Sequence, residues 1–159
     1  MDYFFALAKR SDTPEILKLY RSLIGTPGCT WHSEYPNREI TESDIDAESL
    51  YMITDKSHKI IAVATAGKDN ELDELDWESK NPCYLARVGV LTEKQGLGIG
   101  GLLLKKVIFA VKKRGFDGIR MLVSPDNTAA LALYKHYGFA KRSEVYMYDH
   151  DYLCYELIL

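Results

Sequence analysis

At 159 residues, with 47% hydrophobic and 27% charged residues, the chain has the size and composition of one globular domain with a real core, and is short for two. A formal net charge of −3 argues against a nucleic-acid-binding surface, and no stretch approaches the roughly 18 consecutive apolar residues of a membrane span. Cys29, Cys83 and Cys154 are odd in number, widely separated and outside any C-x-x-C, which suits a reducing compartment better than a disulfide framework. The opening stretch MDYFFALAKRSDTPE lacks a basic n-region, so a cytoplasmic protein is expected.

Residues 3–8 (YFFALA) form a short apolar strand. Asp12 or Thr13 caps a helix with Pro14 near its first turn, and Ile16, Leu17, Tyr20, Leu23 and Ile24 then recur at helical spacing. Gly25–Arg38 is a turn-rich connection, and Thr41–Leu50 reads as a short acidic helix. Leu50–Thr54 and Ile60–Gly67 are strands joined into a hairpin by the turn Asp55–Lys59. Residues 69–78 (DNELDELDWE) carry acids and no base. The plain reading is a solvated loop, and the sharper one an attractant for cationic amines.

Tyr84–Leu91 (YLARVGVL) is a strand, and Ile99–Arg114 a strong helix that ends on Lys112, Lys113 and Arg114, at the negative end of its dipole, before Gly115. Ile119–Val123 is a strand. Asn127 caps a helix that runs to Tyr137 and closes at Gly138. Phe139–Met147 and Tyr152–Leu159 pair as terminal strands around the turn Tyr148–Asp151, and this pair could also pack across a dimer. The order predicts a mixed α/β fold, one domain over residues 1–159, in which the strand–helix–strand run 84–123 makes a parallel pair through a right-handed crossover.

The stretch EKQGLGIGG (93–101) holds two overlapping patterns. Gly96, Gly98 and Gly101 spell G-x-G-x-x-G; Gln95, Gly98 and Gly100 spell Q-x-x-G-x-G. Either describes backbone that approaches a pyrophosphate closely, with N–H groups converging at the positive end of a helix. Tight helix packing or a plain turn is the alternative use. The dinucleotide reading lacks its context. Thr92–Gln95 intervenes between strand and glycines, and Asp117 lies before the strand Ile119–Val123 instead of at its end. No G-K-[ST] follows, which excludes a P-loop.

The second pattern has its context. Val90, Gln95, Gly98 and Gly100 spell V-x-x-x-x-Q-x-x-G-x-G, and Asn127, Ala130, Leu133, Tyr134, Gly138 and Phe139 follow in NTAALALYKHYGF. Together they closely resemble the GNAT-type N-acetyltransferases over residues 84–139, while the N-terminal half agrees in element order only. The resemblance implies a GNAT-like fold: a mixed, mostly antiparallel sheet with a splayed parallel strand pair, flanked by helices. It implies acetyl-CoA as acetyl donor, with no metal, and an amine-bearing acceptor. The backbone of Val88, Gly89 and Val90 would pair with the pantetheine arm, with a bulge near Gly89 aiming an N–H at the thioester carbonyl. Gln95, Gly96, Leu97, Gly98, Ile99, Gly100 and Gly101 would cradle the pyrophosphate, and Asn127 would contact the pantetheine, unless helix capping is its whole role.

Tyr134 takes the position where the family has the acid that protonates the departing thiolate; a buried aromatic is its bland alternative. The family's two carboxylate positions for a general base fall on Tyr84 and Leu122, neither of them acidic. Amine deprotonation is therefore left to water, to Tyr84, or to Glu34 or His32 in the Gly25–Arg38 connection, which borders the acceptor in the family. The competing reading from another class is a noncatalytic acyl-CoA-binding module. His32, His58, His136 and His150 show no metal-ligand spacing.

Overall fold

The computed structural model describes residues 2–69 and 71–159. The chain runs through β1 (Phe4–Leu7), α1 (Thr13–Leu23), α2 (Arg38–Asp46), β2 (Leu50–Thr54), β3 (Ile60–Gly67), β4 (Pro82–Val90), α3 (Ile99–Lys113), β5 (Gly118–Val123), α4 (Thr128–His136), β6 (Ala140–Met147) and β7 (His150–Ile158). The strands form one sheet in the order β1-β2-β3-β4-β5-β7-β6. Among the described residues β4 and β5 are the one parallel pair of neighbours, as the crossover through α3 requires.

The expected mixed sheet and flanking helices are present, with boundaries close to those the periodicity gives. One helix moves. α2 starts at Arg38, three residues ahead of the expected Thr41, because the Asn37 side chain accepts the Ile40 N–H at 2.9 Å and caps it. It ends by Ala47, and Leu50 belongs to β2 alone. The last hairpin turns more tightly than expected. Tyr148 (φ 53°) and Asp149 (φ 64°) are its two left-handed turn residues, and β7 begins at His150.

β3 lies at the centre of the fold's apolar mass, buried on both faces from Ile60 to Ala66. Consecutive residues at the end of β4 show which helices cover which face. A Cβ built on Gly89 would meet Leu19 and Leu23 of α1, whereas Val90 faces Gly100 at the start of α3. α1 buries Ile16, Leu17, Tyr20 and Leu23 on one side; α3 buries Ile99, Leu103, Val107 and Val111, spaced four apart, on the other. Each such side chain contributes about 1.5–3 kcal/mol by leaving water.

Two irregularities lie next to each other. β4 pairs with β5 only from Pro82 to Tyr84, opposite Gly118 to Arg120; from Leu85 to Val90 it has no partner on that edge, and the strands diverge. On its other edge the register against β3 shifts between Ala86 and Gly89, which oppose Thr65 and Val63. That is one extra residue on β4, and Arg87, inside the bulge, has φ 51°. The bulge expected near Gly89 is thus present and lies just before it.

Candidate active site

The divergent end of β4 faces the glycine loop. Gln95 closes the strand by donating its side-chain N–H to the Val90 carbonyl at 3.0 Å. Gly96 (φ 78°) and Gly98 (φ 82°) are left-handed, and a Cβ at either would meet nothing within 4 Å. Their need for glycine is therefore conformational, and the space above them is open to a ligand. Gly98 is the N-cap of α3, with no side chain to cap it. The first N–H groups of a fifteen-residue helix are left for something else. Ile99 points its side chain into the core, and Leu97 is exposed. Gly100 and Gly101 have a second task, because they let α4 approach: Leu133 lies over Gly100, and the Tyr137 hydroxyl donates to the Gly101 carbonyl at 3.2 Å.

Asn127 caps α4 by accepting the Ala130 N–H at 3.3 Å. It is also the floor for the α1–α2 connection. Gly28 (φ 80°) crosses so closely that a Cβ there would lie 2.6 Å from Asn127 Cβ. Thr30 accepts the Tyr152 hydroxyl of β7 at 3.3 Å, and Trp31 packs edge-on to Tyr20 of α1. The connection therefore reaches from α1 to the start of α4 and to β7. Tyr134 is buried at 4% exposure against Phe139. Burial alone pushes its phenol above the usual tyrosine range, so it keeps its proton at neutral pH.

Earlier along β4 lies a cleft of about 1260 Å³, lined by the α1–α2 connection, α2, the β3–β4 segment at Asp69, Glu71 and Leu72, residues Tyr84–Arg87, Leu122 and the β6–β7 turn. Glu34 and Tyr84 meet here, with His32 beside them; Tyr134, Asn127 and the glycine loop are not among its lining residues. Tyr84 is committed. Its hydroxyl donates to Asp73 at 2.6 Å and accepts from Arg120 at 2.8 Å. Burial, then the bond to Asp73, pushes its phenol up to about 12, so it keeps its own proton at neutral pH.

Three charged residues inside apolar strands do what the sequence reading passed over. Arg87 of β4 donates through Nε and Nη2 to both oxygens of Asp44 on α2, at 2.8 and 2.9 Å, and through Nη1 to the Tyr35 hydroxyl at 3.1 Å. Thr65 of β3 adds a hydroxyl donor to Asp44 at 2.8 Å. Arg120 of β5 and Glu156 of β7 form the second network. Glu156 is fully buried and accepts from the Glu78 and Ser79 amides and the Ser79 hydroxyl, and from Arg142 at 2.9 Å. Arg120 bonds Ser79 and lies 5.4 Å from the centre of the Trp77 ring. Burial opposes ionisation of Glu156, but these donors outweigh it and hold its carboxyl below the usual carboxylate range.

The acidic run is thus more than a solvated loop. Asp73 and Glu78 bond to side chains of the sheet, Trp77 packs against Tyr84 and Arg120, and Asp69 and Glu71 reach the cleft wall. The signal in the sequence was a lone charge within an apolar run: Arg87 in YLARVGV, Arg120 in GIRMLV, Glu156 in YLCYELIL.

Residues 16–139 match the model of the acetyltransferase (GNAT) family. A mycothiol acetyltransferase of Paenarthrobacter aurescens is 30% identical over 127 residues, 73% of this chain, although the chain spans only 38% of that protein's length. The fold matches the ribosomal-protein-S18-alanine N-acetyltransferase of Escherichia coli, with a TM-score of 0.76 over 98% of this chain and 93% of the other, at 19% identity. It also matches a Salmonella typhimurium acetyltransferase solved with its cofactor acetyl-CoA, with a TM-score of 0.79 over 99% and 94%, at 15% identity. Those likenesses concern the fold; the family model reaches the glycine loop and the Asn127–Phe139 run themselves, and by it the chain belongs to the GNAT acetyltransferase family.

Proposed function

We propose that the chain transfers the acetyl group of acetyl-CoA to a primary amine, with residues 1–159 acting as one domain. The observation that carries this reading is the divergence of β4 and β5 beside an uncapped, glycine-led helix N-terminus. A pantetheine arm can add to the free edge of β4 at Val88, Gly89 and Val90 as an extra strand would. The backbone from Gln95 to Gly101 can receive the pyrophosphate, with Gly96 and Gly98 leaving it room. A bulge N–H beside Gly89 faces the thioester carbonyl, where negative charge develops during attack.

In the transfer the acceptor nitrogen forms a bond to the acetyl carbon, the C–S bond breaks, and the electron pair leaves on sulfur. Tyr134, kept protonated by burial, gives its proton to that sulfur and regains one from the ammonium proton the amine sheds through water. Tyr84, held by Arg120 and Asp73, shapes the cleft and takes no proton.

The lining of the cleft supports a cationic acceptor. Glu34, Glu39, Asp69 and Glu71 line it, and among the described residues the one arginine or lysine that lines it, Arg87, is paired with Asp44. A cationic amine is drawn in. The three cysteines are free, which suits a reducing cytoplasm.

Thiol release from acetyl-CoA, followed over spermidine, an aminoglycoside and a peptide with a free amino terminus, tests the reading. Turnover on an amine supports it. Binding of acetyl-CoA with no turnover on any of them replaces it by an acyl-CoA-binding module, and binding of NADH but not CoA overturns it.

A further inference from the structure

The bulge in β4 is the irregularity on which the proposed chemistry turns, and its central residue is an arginine in a left-handed conformation, φ 51°. A residue that carries a Cβ is strained in that conformation, so something must hold it there. What holds it is visible. Both oxygens of Asp44 take the Arg87 guanidinium in a two-pronged pair, the side chains only 13% and 18% exposed. Asp44 is itself fixed by the hydroxyl of Thr65, and Thr65 is the β3 residue paired with Ala86, immediately before the bulge. The third prong of the guanidinium holds the hydroxyl of Tyr35, in the loop that walls the acceptor cleft. One guanidinium thus joins α2, the bulge and the acceptor loop, and Thr65 joins β3 to them through Asp44.

We propose that the Asp44–Arg87 pair is a positioning device: it sets the β4 bulge so that the backbone N–H beside Gly89 meets the thioester carbonyl, and through Tyr35 it ties that geometry to the wall of the acceptor cleft. The inference rests on the acetyl-CoA reading above. Neither side chain touches the reacting atoms; both act through the bulge. Three donors, two from Arg87 and one from Thr65, hold the two oxygens of Asp44 in place.

The test separates acetyl-CoA from CoA, because only acetyl-CoA carries the thioester carbonyl that the bulge N–H would meet. Dissociation constants for the two are measured by calorimetry on the wild-type protein, Asp44→Asn and Arg87→Lys, with a thermal melt of each. Lysine keeps the charge and loses the fork, so it guards against a variant that merely fails to fold. The expected result is a selective loss. CoA binding stays within a factor of two, while the ratio of the acetyl-CoA to the CoA dissociation constant rises roughly two- to tenfold, the worth of one hydrogen bond. Tyr35→Phe, which leaves the bidentate pair intact, shifts that ratio less than either. A folded Arg87→Lys that keeps the wild-type ratio overturns the inference and leaves the acetyl-CoA reading standing. A wild-type protein that binds neither ligand overturns that reading, and the inference with it.

Discussion

Tyr134 of α4 and Gly89 of β4 both lie in the motif region and carry different kinds of claim. Tyr134 is buried and protonated, and the proposed reading makes it the acid. Tyr134→Phe lowers kcat by roughly 100-fold in steady-state thiol release, with the acetyl-CoA dissociation constant little changed. Full activity in that variant removes Tyr134 from the acid role. Gly89 acts on packing. A Cβ there would lie 2.8 Å from a terminal methyl of Leu23 and 3.1 Å from one of Leu19, so Gly89→Ala makes these buried α1 side chains repack. A cost of about 1–3 kcal/mol is expected in denaturant melts, and an unchanged midpoint contradicts the contact. Gly89 was legible in the sequence as a residue of the donor strand. That it also seats α1 was not, because nothing local in YLARVGV says which helix will lie above it.

At the scale of elements, the acidic run between β3 and β4 is the clearest case of meaning hidden from sequence. Its composition reads as solvent-facing, yet its end is bolted to β7 by a carboxylate 77 and 78 residues further on. Pairings of that separation leave no local periodic trace. Only the oddity of a glutamate inside YLCYELIL hints at them. Glu156→Gln leaves Arg120 and Arg142 short of their shared counter-charge and costs about 3 kcal/mol in a thermal or urea melt. The pH sign follows from the depressed carboxyl. Stability from Glu156 is fully present above its unfolded value of about 4.3, and is lost as pH falls through the lower folded value. Glu156→Gln flattens that acid limb; a limb identical to wild type contradicts the network. By contrast α3, α4 and the hairpins were legible, because each carries its own period, cap or stop. α2 was misplaced by three residues for want of weight given to Asn37 as a cap.

For the molecule as a whole, the site has two parts. The glycine loop proposed for the donor stands at the start of α3, and the cleft proposed for the acceptor opens between the α1–α2 connection and the β6–β7 turn. The first was written in a dense local motif. The second is assembled from five separate segments, which is why Glu34 and Tyr84 could be suggested but Asp44, Tyr35 and Arg87 could not. The acidic lining has a consequence for kinetics. With spermidine as acceptor, kcat/KM falls several-fold from low to high salt, and Glu34→Gln with Glu71→Gln raises KM with kcat held. A salt-independent KM contradicts a charge-selected acceptor.

The central claim is where the donor lies, and amide hydrogen exchange with and without acetyl-CoA reads it directly. Protection on adding acetyl-CoA is predicted at Val88–Val90 and at Gln95–Gly101, with the remainder of the sheet unchanged. Exchange that is unaltered in both segments, or slowed only elsewhere in the chain, contradicts the account.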